Sequence, residues 1–365
     1  MALSPHFGLW QEHGSGCGGS SLRLVLRVMA GASEQANRAT SDATDPVRQA
    51  IAKLRAGVEA KIIGQRDVIE LLLLALLADG HALLEGLPGL AKTRAVKTLA
   101  RVLGTDLHRV QFTPDLLPSD VTGSVVYHAE QGTGRFQFEK GPIFGNVVLI
   151  DEINRAPAKV QSALLEAMEE RQVTVAGETH PLPQPFFVLA TQNPIEQEGT
   201  YPLPEAQLDR FLLHVRVDYP DAEAELAIVR MVRSEERGEG SVDSVPLDTI
   251  AAARRSVSQS VKTSETVERY LVAIVAATRN AGALDAELGK QIEVGVSPRA
   301  SLALDRVSRA RAWLEGRDYV TADDVRAVAP AVLRHRLLLA YPAKAKGISA
   351  DQVIARLLEL VAIGG

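Results

Sequence analysis

The first stretch that could do chemistry is Glu85 to Val96, EGLPGLAKTRAV. It nearly matches the phosphate-loop pattern G-x-x-x-x-G-K-[ST], with Gly86, Lys92 and Thr93 in register and Ala91 in place of the last glycine. In such a loop the backbone N–H groups face an anion, the lysine reaches the outer phosphates, and the hydroxyl binds magnesium. The stretch therefore predicts a nucleotide phosphate site.

The alanine before the lysine is compatible with this prediction. That position already begins a helix, and alanine favours the right-handed helical backbone. Gly86 and Gly89 supply unusual backbone angles, and Pro88 stiffens the loop. Taken alone, the stretch could also be a tight strand-to-helix turn with a lysine that reaches solvent.

Two adjacent carboxylates, Asp151 and Glu152, follow the apolar run Val147 to Ile150. A carboxylate at the carboxyl end of a strand can hold the water shell of a metal ion, and its neighbour can orient or deprotonate an attacking water. The alternative is a pair of acids favoured by a helix N-terminus. Asn193, in LATQNP, could position the same water from the other side, or simply form an Asn-Pro turn.

Two arginines could stabilise negative charge that develops on a γ-phosphate. They are Arg210, in LPEAQLDRF, and Arg299, in GVSPR. Each could instead pair with a nearby acid and have no role in catalysis. The acids considered as such partners are Glu205, Asp209 and Asp305.

The elements that must position these residues alternate between strands and helices. The phosphate-loop candidate lies between the apolar strand HALLEG and a helix from Lys92 to Leu103. Buried strands in VVLID, PFFVLATQNP and FLLHVRVDYP continue the pattern, which predicts an α/β fold with a largely parallel sheet covered on both faces. Glycine-containing turns predict two hairpins, at about 124–140 and 172–183.

Periodicity and composition divide the chain into three regions. Residues 1–45 lack periodicity and are expected to be a disordered tail, or an annotation artefact if Met29 is the true start. Residues 46–220 form the α/β domain, and residues 221–365 an all-helical domain. The basic cluster Arg334 to Lys346 is interpreted as the solvated end of a helix.

Bulk composition limits the class of protein. The chain has 365 residues, 46% of them hydrophobic, with a formal charge of −5 and a single cysteine, Cys17. It has no apolar run of the roughly 18 residues that a membrane helix needs. We therefore expect a cytoplasmic protein without a membrane span, and nucleic acid is not a favoured partner.

Five stretches of the sequence together resemble the MoxR family of AAA+ ATPases in order and spacing, over about Val58 to Leu339. They are GLPGLAKT, VVLIDEINRAP, LATQNP, LPEAQLDRF and GVSPR. The resemblance implies a P-loop AAA+ parallel sheet flanked by helices and followed by an all-helical lid domain. It assigns Walker B to Asp151 and Glu152, sensor 1 to Asn193, the arginine finger to Arg210 and sensor 2 to Arg299. The ATP-binding candidates are Ile63, Gly64, Gly86, Leu87, Pro88, Gly89, Leu90, Ala91, Lys92, Thr93 and Asp151, with Thr93 and Asp151 also as Mg²⁺ ligands.

The same resemblance implies an ATP-hydrolysing ring, typically a hexamer, that acts as a chaperone or remodelling factor in the maturation of partner protein complexes. Proteins with a von Willebrand factor A domain are frequent partners in the family. The two hairpins would face the pore or the substrate, or would simply be hairpins that cover the sheet. Two alternatives stay open. One is a nucleotide-gated switch or scaffold with little turnover, and the other, disfavoured by the acidic balance and the lack of a helix-turn-helix, is a nucleic-acid motor.

Overall fold

The computed structural model describes residues 45–87, 90, 92–130, 133–195, 199–236 and 244–363. The expected tail up to residue 44, and Pro88, Gly89 and Ala91 of the loop, lie outside the described residues. The described residues from Val47 onward form one compact unit, and the domain boundary near residue 220 stays a prediction.

The α/β prediction is confirmed by a five-stranded, fully parallel sheet in the order β2-β5-β8-β1-β9. The strand that precedes the loop, β1, lies beside β8, and β8 lies beside β5. The strands in chain order are β1 (Ala82–Gly86), β2 (Leu107–Gln111), β3 (Gly123–Glu130), β4 (Thr133–Lys140), β5 (Val147–Asp151), β6 (Gln172–Val175), β7 (Glu178–Pro181), β8 (Phe187–Gln192), β9 (Leu213–Val217), β10 (Ile292–Val294) and β11 (Leu338–Leu339).

Helices cover both faces of the sheet and continue beyond it. They are α1 (Pro46–Glu59), α2 (Arg66–Leu77), α3 (Lys92–Val102), α4 (Pro118–Thr122), α5 (Ala158–Glu170), α6 (Glu205–Leu208), α7 (Ala222–Glu236), α8 (Leu247–Ser260), α9 (Glu265–Arg279), α10 (Ala281–Leu284), α11 (Ala286–Gln291), α12 (Arg299–Leu314), α13 (Ala322–Leu333), α14 (Tyr341–Ala345) and α15 (Ala350–Leu360). A short 3₁₀ turn, Ile153–Arg155, follows β5.

The apolar side chains of the sheet alternate between its two faces. In β1, Leu84 packs with the cluster that includes helices α2 and α3, whereas Leu83 packs with the cluster around α5. This alternation follows from the two-residue period of a strand. Because β1, β5 and β8 are buried on both faces, their backbones are fixed, and so are the positions of the residues at their carboxyl ends.

Two antiparallel hairpins leave the sheet, one formed by β3 and β4 and the other by β6 and β7. The first exposes Tyr127 and Phe136, whose rings lie 5.1 Å apart. The C-terminal region is mainly helical, as its periodicity predicts, and it packs around the buried Trp313. The structure adds to it a short antiparallel pair, β10 with β11, which is too short to leave a periodic signal in the sequence.

Candidate active site

Lys92 begins helix α3 directly after the loop that follows β1. Its Nζ donates hydrogen bonds to the main-chain oxygens of Gly86, at 2.5 Å, and Gln192, at 3.4 Å. The ammonium group therefore lies across the carboxyl ends of the neighbouring strands β1 and β8. Thr93 follows in the first turn of α3 and is half-buried.

Asp151 ends β5 and lies within hydrogen-bond reach of the same part of β8. Its Oδ1 accepts from Thr191 Oγ1 at 3.1 Å, and its Oδ2 accepts from Arg109 Nε at 2.6 Å. Thr191 directly precedes Gln192, the residue that Lys92 contacts. Asp151 thus bonds to Thr191 of β8, and Lys92 bonds to the next residue, Gln192. Both side chains lie at the carboxyl ends of the strands.

Glu152 has an unusual backbone for a residue other than glycine, with φ 58° and ψ 54° in the left-handed region. Its N–H donates to Thr191 Oγ1 at 2.9 Å, which fixes this turn. The side-chain Oε2 accepts from Gln111 Nε2 at 2.7 Å and lies 3.1 Å from Arg155 Nη1. Strained backbone of this kind is concentrated at functional sites, where the surrounding structure maintains it.

Asn193 follows β8 at the same edge and is buried. Its Oδ1 accepts from the N–H of Ile195 at 3.3 Å, so the local turn that was one interpretation of this residue is present. A turn of this kind also fixes the side-chain amide beside Gln192. The two interpretations of Asn193 are therefore compatible.

A cavity of about 440 Å³ lies beside the loop, next to α3. Gln65 Nε2 donates to the main-chain oxygen of Leu90 at 3.2 Å and so ties the segment Ile62 to Gln65 to the loop. Gly64, at φ 78°, packs closely against Pro220 and Ala224. The lining is mostly apolar, which suits a purine base. It consists of Ile62, Ile63, Gln65, Leu90, Tyr219, Pro220, Ile228, Val229 and Met231, together with the charged residues Lys61, Arg94 and Glu225.

The residues proposed for magnesium fit that ion by their chemistry. Thr93 offers a hydroxyl oxygen and Asp151 a carboxylate, both of which are hard ligands that Mg²⁺ prefers. Within the described residues no group of three or more His, Cys, Asp and Glu side chains could hold a metal ion alone. At a site with these two protein ligands, phosphate oxygens and waters would complete the octahedron.

Arg210 and Arg299 lie together, but at the amino ends of the strands, whereas Lys92 lies at their carboxyl ends. Arg210 Nε donates to Glu169 Oε2 at 2.8 Å, and Arg299 Nη2 to Glu169 Oε1 at 2.5 Å. Glu169 follows Met168, whose main-chain oxygen lies 3.3 Å from Nε2 of His81, the residue before β1. The length of β1, about 13 Å at 3.3 Å per residue, therefore lies between this pair and the loop.

Several residues of the site are not predicted from the sequence. Arg109 and Gln111 belong to β2, a strand that the sequence pattern does not reveal, and Arg155 has no predicted role. Glu169, the shared partner of both arginines, is not among the acids expected to pair with them. Its position at the end of an amphipathic helix is no signal in itself.

The interpretation of Arg334 to Lys346 as a solvated helix end is wrong for its first residues. The Arg336 side chain is 3% exposed, and its Nε donates to Asp209 Oδ1 at 2.7 Å. Arg334 Nε donates to Asp351 Oδ1 at 2.9 Å. Arg336 ties the C-terminal region to the segment that carries Arg210, because the Asp209 carboxylate and the main-chain oxygen of Phe211 accept from it. Arg334 Nη1 donates to the main-chain oxygen of His214 in β9 at 3.1 Å.

Electrostatics at the base of the loop are set by a contact between β1 and β9. His214 Nε2 lies 2.9 Å from Glu85 Oε2. This contact holds the pKa of Glu85 below its ordinary value, against the opposing effect of burial. Glu85 therefore stays ionised directly before Gly86, where the loop begins.

Comparison with known protein families gives two matches. Residues 81–213 match the ATPase family associated with various cellular activities (AAA), and residues 286–357 match the AAA lid domain. The first match contains the loop, both acids, Asn193 and Arg210, and the second contains Arg299. No helix of the described residues is long and apolar enough to span a membrane.

Several named proteins are similar over most of the chain. Chaperone MoxR1 of Mycobacterium tuberculosis is 48% identical over 311 residues, which are 84% of this chain and 80% of that protein. Protein MoxR of Paracoccus denitrificans is 37% identical over 78% of this chain and 87% of its own. The crystal structure of a candidate ATPase from Cytophaga hutchinsonii superposes with a TM-score of 0.81 and 43% identity, over 92% of this chain and 100% of that one.

Proposed function

The chain belongs to the MoxR family of AAA+ ATPases, and from that premise we propose that it hydrolyses ATP with magnesium in a ring of identical subunits and remodels partner proteins. The single observation that carries the ATPase part is the arrangement at β8. Lys92 bonds to Gln192 and Asp151 bonds to Thr191, so a phosphate-binding cation and a metal-binding carboxylate face the same edge of the sheet.

In this proposal each residue of the site has a separate role. Lys92 exchanges its bonds to main-chain oxygens for bonds to the outer phosphates, while Gln65 and Ile63 border the base. Asp151 and Thr93 would hold magnesium, which when bound would neutralise charge on the phosphate oxygens. Glu152 accepts the proton of the attacking water, and Asn193 holds that water in line.

The two arginines act on the nucleotide of a neighbouring subunit. They lie beyond the reach of their own loop, and a guanidinium is suited to the charge that develops on a γ-phosphate. Hydrolysis then requires assembly, because each site is complete only with the arginines of the next subunit. A hexamer is the proposed ring size, as the family resemblance implies.

The proposed clients are protein complexes, possessing or recruiting a von Willebrand factor A domain protein, whose maturation depends on nucleotide-driven remodelling. A relative named a chaperone supports this part of the proposal. We also propose a cytoplasmic location, because the proposed reaction consumes ATP. Affinity capture with a Glu152→Gln form, which keeps ATP bound, is the direct way to retain a client.

The test of the shared site is to mix two inactive variants. Glu152→Gln lacks the base but keeps the arginines, and Arg210→Ala keeps the base but lacks the finger. Each alone should show less than about 1% of wild-type turnover, in line with the roughly 10²- to 10⁴-fold effects of a lost catalytic base. Random mixing in equal amounts should restore activity at about one site in four, because half of the sites keep the base and half of their neighbours keep the finger.

A mixture that stays as inactive as its components would contradict action between subunits. Lys92→Ala mixed with Glu152→Gln is the control for the design, because Lys92→Ala subunits lack a functional site but still carry Arg210. That mixture must remain inactive, since neither component has both the loop lysine and the catalytic base. Phosphate release at fixed total protein is measured for the single variants, for the test mixture and for the control mixture.

A further inference from the structure

One carboxylate holds both arginines of the proposed shared site. The two oxygens of Glu169 are divided between them, with Oε2 on Arg210 Nε and Oε1 on Arg299 Nη2. The three side chains come from distant parts of the sequence, namely the last turn of α5, the segment after α6 and the first turn of α12. A carboxylate that bridges two guanidiniums reproduces the contacts that a phosphate would make.

The backbones that carry the two arginines are fixed by a different acid. Asp209 Oδ1 accepts from Arg336 Nε at 2.7 Å, and Asp209 Oδ2 accepts from Ser297 Oγ at 2.9 Å. Asp209 directly precedes Arg210, and Ser297 lies two residues before Arg299. Because Asp209 already holds the two segments together, Glu169 is not needed for that purpose, and its contacts are with the guanidinium groups of the two side chains.

Exposure and charge favour an exchangeable contact over a structural one. The side chains of Glu169, Arg210 and Arg299 are 35%, 29% and 50% exposed, a range in which ion pairs contribute little to stability. One carboxylate also neutralises only one of the two cations. A polyphosphate carries several negative charges and can contact both guanidiniums at once, so it can displace the carboxylate.

We propose that Glu169 is an internal substitute for phosphate, which holds Arg210 and Arg299 side by side in a subunit without a neighbour and yields them to the nucleotide of the next subunit. Glu169 is then a positioning residue. The strength of its contacts determines how readily the two arginines are transferred to the nucleotide of the neighbouring subunit. This inference rests on the proposed function, but the exchange itself can be measured without hydrolysis or assembly.

The experiment measures the binding of inorganic tripolyphosphate by calorimetry in a Lys92→Ala background, where the chain's own loop is impaired. Replacing Glu169 by Gln keeps the shape of the side chain and removes its charge. We expect the affinity for tripolyphosphate to increase at least threefold. Glu170→Gln, at the next and also exposed position of α5, is the matched control and should leave the affinity unchanged.

A second background separates exchange at the arginines from a general effect of charge. When Arg210 and Arg299 are both Ala, Glu169→Gln should no longer change the affinity. An equal increase in that background, or no increase in the first one, would overturn the inference. Urea unfolding of each variant checks that the fold is retained.

The result is distinguishable from a failure of the proposed function. If the affinity shifts as expected but the mixed variants stay inactive, the exchange stands and the catalytic role of the arginines is wrong. If the mixtures recover activity but the affinity does not shift, the shared site stands and Glu169 has no such role. In a ring-forming protein, Glu169→Gln should also lower the concentration at which Glu152→Gln subunits assemble with ATP, by at least threefold.

Discussion

Gln111 Nε2 donates a 2.7 Å hydrogen bond to Oε2 of Glu152, the carboxylate proposed as the catalytic base. The same oxygen lies 3.1 Å from Arg155 Nη1. A general base must present a lone pair to the water that it deprotonates. The two donors engage this oxygen and fix the orientation of the carboxylate, so they must be displaced before Oε2 can accept the proton of the water, and the structure holds Glu152 in a restrained state.

Replacing Gln111 by Ala should therefore raise the basal rate of ATP hydrolysis. The change removes one competing donor and leaves the backbone turn, which depends on Thr191, in place. We expect a two- to tenfold increase in steady-state phosphate release, on the order of 0.4–1.4 kcal/mol in the barrier. The increase must vanish when Glu152→Gln is added, and a decrease in the rate would show that Gln111 aids the base.

The nucleotide cavity gives a second prediction, at Gly64. A Cβ at this position would lie 2.7 Å from Ala224 Cβ and 3.3 Å from Pro220 Cβ, and φ is +78°. Gly64→Ala should push α7 away from the cavity beside the loop and weaken ATP binding about tenfold or more, at a cost to stability of about 1–3 kcal/mol. Fluorescent-nucleotide titration measures the affinity.

The matched control for Gly64 is Gly347, which has a similar φ of +74° but no atom within 4 Å of the added Cβ. Gly347→Ala therefore carries the backbone strain without the clash at the cavity. It should lower the unfolding free energy and leave the affinity for ATP unchanged. Equal losses of affinity in the two variants would mean that strain, and not the displacement of α7, accounts for the effect.

Much of the fold follows from local sequence because the central strands are buried on both faces. Continuous apolar runs in β5 and β8 identify themselves, and the polar residues that end them fall at one edge. The strand β2 could not be found in this way. It lies at the edge of the sheet, only Val110 in it is buried, and its charged residues break the apolar pattern.

The missed strand explains the missed part of the site. Arg109 and Gln111 are placed beside the two acids only because β2 pairs with β5, with Gln111 opposite Asp151. The pairing of Arg210 and Arg299 through Glu169 is likewise a tertiary contact between segments far apart in sequence. Motifs therefore predict which residues carry the chemistry, whereas their restraining partners depend on packing that no local pattern records.

A third prediction concerns the acid that fixes the arginine-bearing segments. Asp209 is the partner of Arg336, whose side chain is 3% exposed. Asp209→Ala leaves a buried cation without its carboxylate, so it should lower the unfolding free energy by about 3–5 kcal/mol. Glu265→Ala, which removes the partner of the 69% exposed Arg269, should cost less than about 1 kcal/mol. Urea denaturation compares them, and similar small costs would contradict a structural role for Asp209.

The fourth prediction concerns His81, which precedes β1 and is buried. Its Nδ1 accepts from the N–H of Val188 at 3.0 Å, so Nε2 carries the proton and donates to the main-chain oxygen of Met168 at 3.3 Å. Burial, assisted by the positive charge of Arg171, lowers the pKa of His81 to about 3. The folded protein therefore requires the neutral ring.

The free energy of unfolding should fall with acidification, because His81 binds a proton in the unfolded chain but stays neutral in the folded one. The contribution is fully present above the unfolded pKa of about 6.5 and is lost as the pH falls toward 3. Between pH 7 and pH 5.5 the loss from this residue is about 1.3 kcal/mol. In His81→Gln, whose amide can accept from Val188 and donate to Met168 but does not titrate, urea unfolding at the two pH values should show a loss smaller by that amount. An identical pH dependence in the variant and the wild type would show that His81 does not remain neutral in the folded protein.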